Sequence, residues 1–301
     1  METFVFSLLL LLSHALPGSL AASPQNIISD VAFNNFIQDL LASDHDRARP
    51  DQVSIDFQRY ADNRNLTDQA SRRLFSRVSD DLLSKPLYRK FLALLDNYYP
   101  STGQREYETA EERREIDEFL DQVLGTAVFN KTYDFLRNHG HSSTWSRRHF
   151  KDSLKNLWFD YYSRMRGVQD TSAFEHVFVG EVLERNREIG GMHNWLRFYA
   201  AERDGAVDYA GYVVRRKNVA LVMFRWLNLW KTTGSFMIGT SPAFDMATYT
   251  LCFWLKPGFR SCQFSLDGCT IEITSHAVTQ NGKTYIGTAF PSPGRPSAAC
   301  R

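Results

Sequence analysis

Two histidines and a lysine are set in segments that could do proton-transfer chemistry: Glu175-His176-Val177-Phe178-Val179-Gly180-Glu181, Gly190-Gly191-Met192-His193-Asn194-Trp195, and Lys231 ahead of Gly234-Ser235-Phe236-Met237-Ile238-Gly239-Thr240-Ser241-Pro242. One neutral imidazole can take a proton and one imidazolium can give one. A fixed ammonium can stabilise charge developing on a transferring phosphoryl group. Histidine suits the task because its unperturbed pKa of about 6.5 leaves both forms accessible near neutral pH. If the nucleophile is the substrate's own 2′-hydroxyl, neither an activated water nor a serine or cysteine is needed, and a DNA strand is inert.

Taken singly, each segment has a plainer reading. His176 on a strand would face the core while Glu175 and Glu181 share the opposite face. The paired glycines before His193 could be an ordinary turn that lets the backbone approach a neighbour and delivers an imidazole at a helix start. Lys231 could be a snorkelling residue ending a tryptophan-rich strand from Trp226 to Trp230. Motifs for other chemistries (GxSxG, HExxH, a P-loop, or GxGxxG after a strand) are missing.

The elements that must position these groups change character along the chain. From residue 24 to about 160 the pattern is helical, with Phe33, Phe36 and Leu40, then Leu87, Phe91 and Leu94, then Ile116, Phe119 and Leu120 at helical spacing. Thr109-Ala110-Glu111-Glu112 reads as a capping box. From Phe174 onward the pattern turns to strands at Val177 to Val179, Val213-Val214, Val219 to Phe224, Phe236 to Ile238, Ile271 to Thr274 and Tyr285 to Thr288, with a hairpin turn at Asn281-Gly282. Helices interrupt at Trp195 to Arg203 and Phe244 to Phe253. Helices first and antiparallel strands later predict an α+β fold: a helical N-terminal region over 23–160 and a β-rich catalytic region over 161–301, or one continuous domain.

Phe4 to Leu12 is nearly all apolar and is followed by Pro17-Gly18 and Ser19-Leu20-Ala21, which predicts a secretory signal peptide over residues 1–22, although no Lys or Arg precedes Leu8. Its apolar core is too short to span a bilayer, and no later stretch is long enough, so a secreted chain without a transmembrane segment is expected. The four cysteines lie at 252, 262, 269 and 300, with no CxxC half-site for zinc; three pairings are open, and Cys262 with Cys269 would staple a hairpin. Asn65-Leu66-Thr67 and Asn130-Lys131-Thr132 are acceptor sequences for glycosylation. Across 301 residues, 35 Lys and Arg against 34 Asp and Glu leave a net charge of +1, so any site for a polyanion must be local.

FEHVFVGE (174–181), GGMHNW (190–195), Lys231 with GSFMIGTSP (234–242), YTLCF (249–253) and YIGTAFP (285–291) occur in order, and together they resemble the EndoU family of uridylate-specific endoribonucleases. The resemblance implies a helical N-terminal part joined to two antiparallel sheets. It makes His176 and His193 the acid/base pair and Lys231 the electrostatic stabiliser, with His193 the base on the 2′-hydroxyl and His176 the acid for the leaving oxygen by analogy. Glu175 and Glu181 match family carboxylates that orient imidazoles or assist a divalent cation, and Ser235 and Thr288 match positions that contact uracil or complete its pocket. The implied substrate is single-stranded, uridine-containing RNA, and the products are a 2′,3′-cyclic phosphate and a 5′-hydroxyl. The implied activator is a divalent cation, Mn²⁺ ahead of Ca²⁺, with no ligands assigned; Asp44-His45-Asp46 and His139-Gly140-His141 read as solvated loops. A monomer is expected.

The chain departs from the family at two places. Phe290 stands where a tyrosine is expected, keeping a ring to stack on a base while losing the phenol, which relaxes uridine preference. Ser241-Pro242-Ala243-Phe244-Asp245 replaces SPEFE, losing one carboxylate and shortening another. The rival reading is a catalytically silent RNA-binding or extracellular interaction protein on the same scaffold, with Arg215, Arg216 and Lys217 on phosphates and Trp226 or Trp230 stacking on bases.

Overall fold

A computed structural model describes residues 28–300, so the signal segment lies outside the described residues. Helix α1 (Asp30–Ala42) starts at Ser29, whose side chain accepts from the Ala32 N–H, and buries Phe33, Ile37, Leu40 and Leu41 along one face. After α2 (Asp80–Leu83) and α3 (Pro86–Ala93), α4 (Ala110–Leu124) opens with the expected capping box, in which Thr109 and Glu112 satisfy each other's backbone N–H groups. Helices α5 (Ala127–Asn138) and α6 (Arg147–Phe159) complete this region.

The N-terminal half is not wholly helical. Strands β1 (Val53–Ile55) and β2 (Phe75–Val78) pair antiparallel, and the segment between them leans on the later sheet, with the Ala61 N–H donating to the Tyr212 carbonyl at 2.9 Å. Strands this short carry too few residues for period-two patterning to register in the sequence.

The expected sheets are present. Strands β3 (Glu181–Leu183) and β4 (Glu188–Gly190) form a hairpin ahead of α7 (Trp195–Arg203). One three-stranded antiparallel sheet has the order β5 (Val207–Arg216), β6 (Val219–Trp226), β7 (Leu229–Met237). After α8 (Pro242–Leu255), the second has the order β10 (Lys283–Pro293), β9 (Cys269–Gln280), β8 (Gly258–Leu266), with Asn281-Gly282 turning between β9 and β10 at positive φ. One buried apolar cluster runs from Phe33 to Ala289 and joins the helices to both sheets. No helix among the described residues is long and apolar enough to cross a membrane.

Three local expectations are corrected. Glu175–Val179 is a single π-helical turn, not a strand. All five residues are buried, so alternation carries no information about period there. The turn is closed by Ser172 and Glu175, each accepting the other's backbone N–H through its side chain, at 3.1 and 3.2 Å. Trp226 to Trp230 is a hairpin turn, with Leu227 and Asn228 at φ of 49° and 62°, joining β6 to β7. The disulfides are Cys252–Cys262 and Cys269–Cys300, not Cys262–Cys269. In the β8–β9 register Cys262 faces Ile273 and Cys269 faces Leu266, so the two cysteines are not opposite each other.

Candidate active site

The π-helical turn places His176, and the chain returns to it through the β3–β4 hairpin. The Met192 N–H donates to the His176 carbonyl and the His193 N–H to the Val177 carbonyl, at 3.1 and 2.7 Å, so the two histidines are held on adjacent, hydrogen-bonded segments. That approach requires Gly191: it sits at φ +65°, and a Cβ there would lie 1.5 Å from the His176 carbonyl oxygen. Both imidazoles are almost fully buried.

Each ring is fixed at Nδ1 by a different acceptor. His176 Nδ1 lies 2.7 Å from Glu181 Oε1, and Glu181 is itself fully buried. His193 Nδ1 lies 2.9 Å from the Ser235 carbonyl oxygen, with the Ser235 hydroxyl at 3.4 Å. A carbonyl oxygen cannot donate, so His193 carries its neutral-form proton on Nδ1 and leaves the Nε2 lone pair free. Glu181 as a carboxylate places the Nδ1 proton of His176 the same way, and it can support a full positive charge on that ring.

Lys231 on β7 donates from Nζ to the Ile189 carbonyl at 2.8 Å, which ties it to the strand leading into the glycine pair. Burial lowers its pKa to about 8. Burial also holds His176 and His193 well below the ordinary histidine value, and the Lys231 ammonium lowers both further. The free site is therefore a neutral imidazole pair beside a cation, a field that favours an incoming anion.

The two carboxylates have different partners. Glu181 bridges His176 and Arg164, whose Nε lies 2.7 Å away. Burial raises the Glu181 carboxyl, and the Arg164 guanidinium opposes that rise. Glu175 instead faces Ser172 and closes the helical turn. Its carboxyl is raised well above the usual range, first by burial and then by the charges of Glu181 and Glu106.

The sequence reading passed over Arg164 and the role of Asp245. Arg164 also donates to the Tyr162 hydroxyl at 2.7 Å and to the Gly287 carbonyl, linking β10 to the Glu181–His176 pair. No motif marks it, because Glu181 and Gly287 lie 17 and 123 residues away from it. Asp245 is fully buried on α8 and raised to about 8, by burial first. It accepts from Asn194 Nδ2 at 2.9 Å, while Asn194 Oδ1 caps α7, so this carboxyl steadies the residue next to His193. Asp44 is buried as well, correcting its assignment to a solvated loop: its Oδ2 accepts from the Ser241 N–H.

Phe290 on β10 lies with its ring centroid 5.3 Å from that of His193. Thr288, two residues earlier on the same strand and half-buried, lies opposite His276 in the β9–β10 register. Trp226 is buried, so it offers no face for a base. Asn65 is exposed, whereas Asn130 on α5 is half-buried and its amide donates to the Thr126 carbonyl. Among the described residues no group of three or more His, Cys, Asp or Glu side chains is arranged to hold a metal ion. Glu181 receives both His176 and Arg164 on Oε1, at 2.7 Å each.

An α+β fold that buries two imidazoles with free Nε2 edges beside an ammonium belongs to the class of proteins equipped for general acid–base chemistry on an anionic substrate. The model of the family described as Endoribonuclease XendoU matches residues 32–291, and the chain belongs to that family. It is 38% identical over 260 residues to the bovine uridylate-specific endoribonuclease, covering 82% of this chain and 62% of that one. The human protein of the same name gives the same figures, so the chain spans about three fifths of the length of these two relatives. Uridylate-specific endoribonuclease D of Xenopus laevis is 33% identical, covering 97% of this chain and all of the relative. The fold matches the solved structure of XendoU, described as a splicing independent snoRNA processing endoribonuclease, with a TM-score of 0.73 and 33% identity, covering 87% of this chain and 97% of that one.

Proposed function

We propose that this protein is a secreted endoribonuclease that cuts single-stranded RNA at uridylates by attack of the 2′-hydroxyl. The observation that carries the reading is the different Nδ1 partner of each histidine: a neutral carbonyl behind His193 and a carboxylate behind His176. The first suits a base that starts neutral. The second suits an acid that must hold a proton.

In the proposed step His193 Nε2 takes the proton from the 2′-hydroxyl, and O2′ bonds to phosphorus. The bond from phosphorus to O5′ breaks, and His176 gives its Nε2 proton to that oxygen. The products are a 2′,3′-cyclic phosphate and a 5′-hydroxyl, which makes the enzyme formally a lyase. The phosphate's negative charge raises the pKa of His176 on binding, offsetting the burial that lowers it in the free site. Lys231 stabilises the charge that builds on the phosphoryl oxygens. Glu181 and Arg164 hold His176, Phe290 and Thr288 line the base side, and the Ser235 carbonyl orients His193. A divalent cation, Mn²⁺ ahead of Ca²⁺, would serve as an activator bound to the RNA, with no protein ligands assigned to it. Secretion fits the apolar leader and the exposed glycosylation acceptor sequence at Asn65.

The test incubates the purified protein with an RNA holding one uridine, its 2′-deoxyuridine twin and an all-purine control, each with EDTA, Mn²⁺ or Ca²⁺. Cleavage confined to the ribouridine strand and ending in a cyclic phosphate supports the reading. Intact RNA in every tube, with RNA still bound, moves the chain to the silent binding alternative.

A further inference from the structure

The sheet that carries Lys231 and Ser235 on one edge strand, β7, carries a separate groove on its other edge strand, β5. This groove has a volume of about 700 Å³ and is lined by Phe57, Tyr212, Arg215, Arg216, Lys217 and two valines. From the geometry we infer that it is a second RNA-binding site, which holds the single strand flanking the scissile uridylate. This inference rests on the ribonuclease reading above.

Charge is the first argument. The whole chain is close to neutral, so three consecutive cations in one groove are a local feature. Arg215 and Lys217 are exposed and Arg216 is half-buried, and among the described residues none of the three forms an ion pair. Lys217 acts from a distance on Asp267, but that carboxylate is already held by Arg47 at 2.6 Å. Arg216 spends one N–H on the Arg215 carbonyl, so its remaining donors are free for phosphate oxygens.

Aromatic surface is the second. The Arg215 guanidinium lies 4.9 Å from the centre of the half-buried Tyr212 ring, with Phe57 and the 55% exposed Tyr60 at that ring's edge. Cations interleaved with aromatic faces suit unpaired bases and their backbone. An acidic peptide would use the cations and leave the rings idle.

Reach is the third. Arg215 pairs with Ala220 and Lys231 with Phe224, so the two lie four residues apart along β6 and two strands apart. That is about 13 Å along the strands and about 10 Å across them, a span that a few nucleotides cover. A dinucleotide cannot occupy both places.

The experiment compares the intact chain with the triple variant Arg215→Ala, Arg216→Ala, Lys217→Ala on a uridine-containing dinucleotide and on a single strand of about ten nucleotides. The expected result is an unchanged kcat/KM on the dinucleotide. On the longer strand KM should rise roughly fifty-fold at 0.15 M salt with kcat preserved, and the slope of log affinity against log salt should shrink by about two for three lost phosphate contacts. The double variant Arg215→Lys, Arg216→Lys keeps the charge and should keep the salt slope, which separates lost contacts from a damaged fold. A KM change below threefold on the longer strand overturns the proposal. So does equal weakening on a duplex RNA of the same length, because stacking needs unpaired bases. If the intact chain cuts neither substrate, the ribonuclease reading fails, and the same salt slopes measured by fluorescence anisotropy still decide whether the groove binds RNA.

Discussion

His193 Nδ1 lies 2.9 Å from the carbonyl oxygen of Ser235, the residue at the fifth position of the Lys231-Thr232-Thr233-Gly234-Ser235 run on β7. One hydrogen bond therefore sets the tautomer of one imidazole from the strand that also delivers the ammonium. His176 is oriented by a carboxylate, so two rings of the same type have different Nδ1 partners, which is what the proposed division into base and acid requires.

Substituting alanine for His176 or for His193 should lower cleavage by about 10²–10⁴-fold while RNA binding persists. Single-turnover rates on a one-uridine RNA read this directly. A loss under threefold at either position would remove that residue from the acid/base pair.

Glu181→Gln keeps the size of the side chain and removes the charge behind His176. A charged hydrogen bond is worth about 1.5–3 kcal/mol, so the His176 limb of the kcat–pH profile should move down by about one to two units. A side chain that only fills space would lower activity without moving that limb.

In the proposed mechanism Lys231 acts while charged, and burial lowers its pKa to about 8. The ammonium is present below that value and lost above it, so kcat/KM should fall as pH rises through about 8. Lys231→Arg keeps the charge to much higher pH and should abolish that limb, whatever the absolute rate. Lys231→Ala should lose about 3–4 kcal/mol of transition-state stabilisation at neutral pH.

Phe290→Tyr restores the phenol on the ring beside His193. Competition between uridine- and cytidine-containing RNAs should then show a higher uridine preference at a similar overall rate. An unchanged ratio would mean that this ring does not discriminate bases.

Gly191→Ala places a methyl group where the His176 carbonyl already sits, at a backbone angle that side chains avoid. Activity should be lost together with a fall in thermal midpoint, whereas Gly140→Ala, with open space around it, carries only the strain of its positive φ.

Much of this was legible in the residues. Helical spacing at Phe33, Phe36 and Leu40, the Thr109–Glu112 capping box and the Asn281-Gly282 hairpin are local signals, and each formed as expected. The Ser172–Glu175 box was also present in the sequence, yet it was masked by an apolar run that resembles a buried strand. The histidines, the glycine pair and the lysine were recognisable as types, as was the resemblance to a family whose membership the comparisons then showed.

What the sequence by itself determined, then, was the inventory: an α+β order of elements, two imidazoles, an ammonium and the glycines that let them approach. Its periodicities report contacts within a turn or between neighbouring residues on a strand. The tertiary structure alone decided that Glu181 turns to His176 while Glu175 turns away, that Arg164 reaches Gly287 across 123 positions, that Asp245 steadies Asn194, and that the cysteines pair 252 with 262 and 269 with 300. Those choices follow from where strands and helices cross in a shared core, and from the need of each buried polar group for a partner that lies far away in sequence.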